Sequence, residues 1–190
     1  MKTWITILGL FLATAPVLAQ SNERVAEAIT GEVVRQLYIQ TDRHWHKGEY
    51  VHLIQINYMV IAAAPHFTDP YVDSAWLLWS MDRDDEAVAL YDKGIAANPD
   101  TYELYYEKGF YFMTRRKDLK AAIPLLETAV SKPDCDPIVR HSLAHAYEKT
   151  GQLQKALDMW NRAADDPKNP GRAAAKVNRD RVRRRLENPK

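Results

Sequence analysis

Three prolines set the frame for this chain, because Pro65, Pro99 and Pro133 stand 34 residues apart. Each closes an apolar stretch of helical spacing: Ile54 to Ala63, Ala87 to Ala96, and Ala121 to Val130. Proline disfavours helical geometry in the residue before it, so a helix is being stopped once per period. The stretches read LIQINYMVIAAAP, AVALYDKGIAANP and AAIPLLETAVSKP, and a fourth, ALDMWNRAADDPKNP, follows after one extra residue. Aligned on the small residue of this helix, the units match at Ala87, Ala121 and Ala156, with Leu53 at that place in the first. A fixed period of this length marks stacked supersecondary units, none of which can bury its apolar face alone. Only seven glycines occur in 190 residues and strand-like alternation is hard to find, which assigns the units to helices.

The recurring residues resemble the tetratricopeptide repeat, a unit of two antiparallel helices, A and B, with small residues at their crossing and a proline after helix B. The fourth unit matches through Leu143, Ala144, Tyr147, Gly151, Ala156, Trp160 and Ala163. The third matches through Gly109, Phe112, Ala121, Leu125 and Pro133, and the second through Ala75, Leu78, Ala87, Tyr91 and Pro99. The first keeps Gly48, Val60 and Pro65, with Asn57 where a large aromatic is usual. The resemblance implies an all-α protein, a right-handed α-solenoid of about four helix hairpins with a C-terminal capping helix. The repeats are expected over 34–168, in units of about 34–67, 68–101, 102–136 and 137–168. Residues 20–33 would start the first helix, and 169–190 would form a basic capping helix and tail. Helices are expected near 22–41, 47–63, 69–81, 84–97, 101–115, 118–131, 137–150, 153–166 and 171–187. Pro124 lies slightly too deep in the sixth for a start at Asp118, so a kink or a later start is expected there.

Residues 1–19 differ from the rest. Lys2, the uncharged apolar run Trp4 to Ala15, and Val17-Leu18-Ala19 have the layout of a secretory signal peptide cut between Ala19 and Gln20. The run is short of the ~20 residues a membrane span needs, and no second one exists, so no transmembrane span is expected in the mature form. These features predict a periplasmic or secreted bacterial protein. One cysteine, Cys135, sits in a Pro-Asp-Cys-Asp-Pro loop and is read as inert, because its acidic neighbours disfavour the thiolate. Residues 168–190 hold nine Lys/Arg against two acids, whereas residues 20–167 hold 16 against 23. An acidic body argues against nucleic acid as partner. The arginines around Ala173, Ala174, Val177, Val182 and Leu186 are read as a solvated face, with weak contact to an anionic membrane surface as the alternative.

In proteins of this resemblance, ligands lie in a concave groove lined by five positions of each helix A. Those positions carry Arg35, Tyr38, Asp42, Trp45 and His46 in unit one, and Asp69, Val72, Trp76, Trp79 and Ser80 in unit two. Units three and four carry Glu103, Tyr106, Phe110, Met113 and Thr114, then Ile138, His141, His145, Glu148 and Lys149. The candidate peptide-binding groove is therefore Tyr38, Trp45, His46, Trp76, Trp79, Tyr106, Phe110, Met113, His141 and His145. Aromatic residues bring large apolar area at low entropic cost. Family members that clamp acidic chaperone tails use Lys, Arg and Asn at these positions, which are almost absent here. An apolar, aromatic or proline-rich segment fits such a wall better, and Asp42, Asp69 and Glu103 favour some positive charge on it.

His141 and His145, four apart on one helix face, have a spacing that can chelate a transition metal, and His44, His46 and His52 cluster around the first turn. No glutamate of the zinc-protease kind stands between His141 and His145, and no second ligand pair completes their shell. A metal-binding protein using this pair is the alternative reading, and an oligomeric spacer another. With no Gly-rich phosphate loop, GxSxG elbow or supported Cys–His pair, the sequence points to no catalytic residue and no cofactor.

Overall fold

The computed structural model describes the backbone of residues 8–188 and the side chains of residues 22–188. Residues 1–7 of the expected signal peptide, and the side chains around its expected cut, lie outside the described residues. Among the described residues there are nine helices and no strand. They are α1 (Leu8–Lys47), α2 (Tyr50–Ala63), α3 (Asp69–Ser80), α4 (Asp84–Ala97), α5 (Glu103–Thr114), α6 (Leu119–Ser131), α7 (Val139–Lys149), α8 (Leu153–Asp165) and α9 (Arg172–Glu187). Seven sit within two residues of their expected ends, and α2 begins three residues later than expected. The first is much longer than the expected 22–41, running upstream to Leu8 and on to Lys47, where Gly48 stops it.

The chain divides into two compact units, Met1–Pro65 and His66–Lys190. The first is the α1–α2 hairpin, in which α1 has 40 residues against the 14 of α2. The second stacks the hairpins α3–α4, α5–α6 and α7–α8 and ends in α9. Each of its helices packs on the next, and the A helices α3, α5 and α7 also touch in sequence. That is the contact order of a solenoid. Its last third holds a continuous core in which Leu126, Val139, Leu143, Trp160, Ala163, Ala175 and Val182 are buried together.

A left-handed residue closes every A–B turn. Gly48, Asp82, Lys117 and Gly151 have φ of 71°, 61°, 56° and 75°, and they stand 34, 35 and 34 residues apart. At Gly48 the N–H bonds to the Trp45 carbonyl and the next N–H, of Glu49, reaches back to His44. Asp82 with Arg83, and Gly151 with Gln152, repeat the pattern onto Trp79 and Leu78 and onto Glu148 and Tyr147. These are Schellman caps, which use carbonyls that a helix end would otherwise leave unpaired. Lys117 sits in a wider version, in which Arg116 donates to Tyr111 and Asp118 to Phe112.

The wider turn moves one expectation. The extra residue lies in the third unit, not before the fourth. The residues buried at the helix crossing are Leu53, Ala87, Ala122 and Ala156, so Ala122 replaces the expected Ala121. The period is restored because α6 has 13 residues where α4 has 14. Asp118 caps α6 by accepting from the Ala121 N–H at 3.0 Å, so the helix begins where expected and runs through Pro124 without a later start. On α5, Gly109 allows the crossing with α6, since a Cβ there would stand 3.0 Å from Leu126. Burial pushes the Cys135 thiol up to about 11, which keeps it protonated and inert.

A lysine in the left-handed region costs roughly 1 kcal/mol that glycine does not. Lys117→Gly should therefore raise the Tm by about 2–4 °C for a chain of this size. Calorimetric melts of the two proteins check this, and a lowered Tm would contradict the strain assigned to that turn.

Candidate functional site

Trp76 on α3 is 43% exposed, a large area for an indole. It is not loose. Its ring meets that of Trp79 edge-on at 5.7 Å, and Trp79 lies 6.3 Å from Tyr111 on α5. Tyr111 is buried and continues the series to Tyr91 on α4 at 6.4 Å. The four rings thus run from the surface into the core, with centroid spacings at which aromatic pairs attract.

The inner end of this series is fixed by charge. The Tyr111 hydroxyl donates to Asp84 at 2.8 Å, and Arg115 donates to the same carboxylate at 2.9 and 3.2 Å. These bonds hold Asp84 down at about 2, Arg115 contributing most. Arg115 also reaches Asp82 at 2.5 Å, the left-handed residue of the α3–α4 turn. One guanidinium therefore ties the end of α5 to the preceding hairpin and holds the floor beneath Trp76 and Trp79.

The remaining candidates on α5 are half-buried. Phe110 contacts Tyr106 at 6.0 Å, Tyr106 and Met113 pack onto the core, and the Tyr106 hydroxyl is bonded to Ser142 on α7. Tyr106 is thus partly a strut between helices A. Tyr38, Trp45 and His46 belong to the first unit. There Trp45 is 40% exposed and meets Tyr50 edge-on at 5.8 Å, while His46 faces Asp42 at 3.3 Å.

His141 and His145 are drawn together by a ring, with centroids 5.0 and 4.9 Å from buried Trp160 on α8, both edge-on. Nε2 of His141 accepts from the Asn169 amide at 2.9 Å, so that lone pair is used. Burial holds both imidazoles below their ordinary range. Beside them the Glu148 carboxylate, 8% exposed, accepts from Trp160 Nε1 at 2.9 Å, from Arg181 at 2.7 and 2.8 Å, and from Arg185 at 3.2 Å. Helix α9 thus seals α7, and the groove positions of the fourth unit serve that seal. Among the described residues, the histidine and carboxylate ligands that do converge as a group of three are His44, Glu49 and His52.

Residues 68–101 match the family model of the tetratricopeptide repeat. One tetratricopeptide repeat is thus matched, spanning α3 and α4, and the helical hairpins that follow it share its fold. The human mitochondrial import receptor subunit TOM70 is 26% identical over 104 residues, which is 55% of this chain but only 17% of the receptor. The rat protein matches over the same length at the same identity. Solved structures share the fold. YrrB, described as a TPR protein with an unusual peptide-binding site, superposes with a TM-score of 0.60 at 17% identity, covering 85% of each chain. The MamA protein gives 0.59 at 18%, covering 83% of this chain and 90% of its own. TTC0263, a thermophilic TPR protein of Thermus thermophilus, gives 0.58 at 16%, covering 88% and 94%.

On the tetratricopeptide frame one residue of the site escaped the sequence reading. Glu107 follows Tyr106 on α5 and is half-buried; burial, and then the nearby Glu107, raise the Tyr91 hydroxyl, while Trp79 opposes that shift. Burial, and then the nearby Glu103, lift the Glu107 carboxyl to about 7. Glu103 itself accepts from the Thr68 hydroxyl at the start of α3. Close to Tyr91, the buried end of the aromatic series, α5 therefore carries an acid whose carboxyl is lifted to about 7.

The sign of its effect follows by linkage. Between the ordinary 4.5 and about 7 the folded protein keeps a proton that the unfolded chain has released, so stability falls as pH rises through this window. Glu107→Gln should be more stable than the parent at pH 8, by on the order of 1–2 kcal/mol after allowing for partial solvation, with the gain shrinking as pH falls through the window and vanishing below about pH 4. Urea unfolding of both proteins across that range measures it, and a pH-independent difference would contradict the assignment.

Proposed function

We propose that the protein is a non-catalytic binding module that grips an apolar, aromatic or proline-rich segment of another protein on the Trp76–Trp79 ledge. The observation that carries this reading is an exposed indole held from behind by a chain of rings into the core. A rigid aromatic presented this way loses little entropy on binding and excludes water well, the properties of an interface hot spot. Phe110 and Met113 offer further apolar surface on α5, and Asp69 on α3, Glu103 on α5 and, once ionised, Glu107 offer negative charge on the same two helices. A segment with a basic residue next to its apolar anchor fits this combination, whereas an acidic tail would meet like charge without a cationic partner. That YrrB is described as having a peptide-binding site, and TOM70 as a receptor subunit, supports a protein or peptide as the class of ligand.

We further propose that the module works in the bacterial envelope, on the strength of the charge and hydropathy pattern of residues 1–19. Among the described residues no helix is long and apolar enough to cross a membrane. Processing at the expected position would shorten α1 to residues 20–47. N-terminal sequencing of the protein recovered from a periplasmic fraction should read from Gln20.

Binding is tested by anisotropy with labelled peptides, proline- or aromatic-rich with a flanking Lys or Arg, against peptides ending in several Asp or Glu. The basic set should bind and the acidic set should not. Trp76→Ala should weaken binding by about tenfold or more, a loss of ~1.4 kcal/mol, with far-ultraviolet dichroism unchanged. Equal binding of the acidic peptides, or a Trp76→Ala protein that binds like the parent, contradicts the proposal.

A further inference from the structure

A second site lies in the first unit, where α1 turns into α2. His44 occupies the last turn of α1, Glu49 is the residue just before α2, and His52 is in the first turn of α2. Their ligand atoms all lie within 4.8 Å of one another. Nδ1 of His44 is 2.7 Å from a Glu49 carboxylate oxygen, and the imidazoles of His44 and His52 meet edge-on at 5.6 Å. We infer that these three side chains form a binding site for a divalent transition-metal ion of the zinc type.

The backbone prepares this set. The left-handed Gly48 and the two turn hydrogen bonds, Gly48 to Trp45 at 3.0 Å and Glu49 to His44 at 2.9 Å, fix where each helix ends and the next begins. The spacing of ligands across the turn is thus set before any ion arrives. Two ligands on a common zinc stand roughly 3.4 Å apart, given metal–ligand lengths near 2.1 Å. The His44–Glu49 pair, 2.7 Å apart, must open by about 0.7 Å and His52 must close in. Glu49 and His52 are exposed and His44 is only half-buried, so small side-chain rotations suffice.

The chemistry of the set selects the ion. Two imidazoles and one carboxylate, with water completing the shell, are a known zinc complement, and imidazole discriminates against calcium and magnesium. The single carboxylate neutralises half of the ion's charge. If Nδ1 of His44 is the ligand atom, it gives up the Glu49 hydrogen bond and the ion replaces that bond as the tie between α1 and α2; if Nε2 is, the bond to Glu49 orients the ring. His141 and His145 offer no such set, because Asn169 occupies Nε2 of His141 and the two rings pack on Trp160.

Isothermal titration of the full chain with zinc at pH 7.5 tests the site. One equivalent should bind per chain, and excess calcium or magnesium should not compete. His52→Ala and Glu49→Gln should each weaken binding by more than about tenfold, a bound set by what losing even an outer-shell partner costs. Both variants should keep their helicity, since neither side chain is buried. His141→Ala should bind zinc as the parent does. Absence of binding, insensitivity to His52→Ala, or loss confined to His141→Ala would each overturn the assignment.

Discussion

A stack of helical hairpins has a last face that nothing further covers, and here that face is closed through the buried carboxylate of Glu148. Burial alone would push its proton affinity up, but the bonds from Arg181 and Trp160 more than offset this and hold it lowered, so it stays charged. Arg181 and Arg185 come from α9, Trp160 from α8 and Glu148 from α7, so one charge joins three consecutive helices. Because Arg181, Arg185 and Trp160 share this carboxylate, removing one of them weakens the tie between the helices without leaving the charge unpaired. The seal also has a geometric consequence. It places Trp160 where His141 and His145 rest on it and commits the inner positions of α7 to holding the end. On the proposed reading, the groove positions left for a ligand in the second unit are those of α3 and α5.

Arg115 has the corresponding role in the preceding hairpin, but on the outside of the molecule. It joins Asp82 and Asp84 across a helix boundary, and through Asp84 it orients Tyr111. Exposed ion pairs are individually weak. This one matters through what it positions, since Tyr111 is the pillar on which Trp79 and then Trp76 lean. Two cationic clamps thus divide the work: the first closes the stack, and the second stiffens the surface that remains open.

Much of the fold could be read from the sequence because its strongest signals were periodic. Prolines at 34-residue spacing and small residues at the crossings fixed the number and order of helices, and eight of them fall close to expectation. The turns were harder. Gly48 and Gly151 announce left-handed caps, but Asp82 and Lys117 adopt the same conformation with side chains that give no such notice, and the widened turn at Lys117 moved the crossing residue from Ala121 to Ala122. The site was less legible still. Aromatic spacing located Trp76 and Trp79 but did not separate the exposed ring from the half-buried one. Glu107 looks like any helical glutamate until the packing of α5 desolvates it. Glu49 differs from other acids only because a tight turn folds it back onto His44. The arginines of α9 read as a solvated face, yet Arg181 and Arg185 turn inward to Glu148.

Charge and titration at the ledge are linked in a way that bears on partner choice. Glu107 is held near neutrality by partial burial and by Glu103, so its ionisation is poised rather than settled. A cation brought beside it favours the charged form, and by reciprocity the charged form favours the cation. A carboxylate brought to the same place does the reverse, pushing Glu107 further toward its protonated state and gaining no ionic partner in return. On the proposed reading, the aromatic rings would supply affinity that is indifferent to charge, while the acids of α3 and α5 would decide which apolar segments are accepted. Selectivity in the proposed groove would accordingly come less from the indoles, which would suit many partners, than from the ionisation of the acid that α5 has partly withdrawn from water.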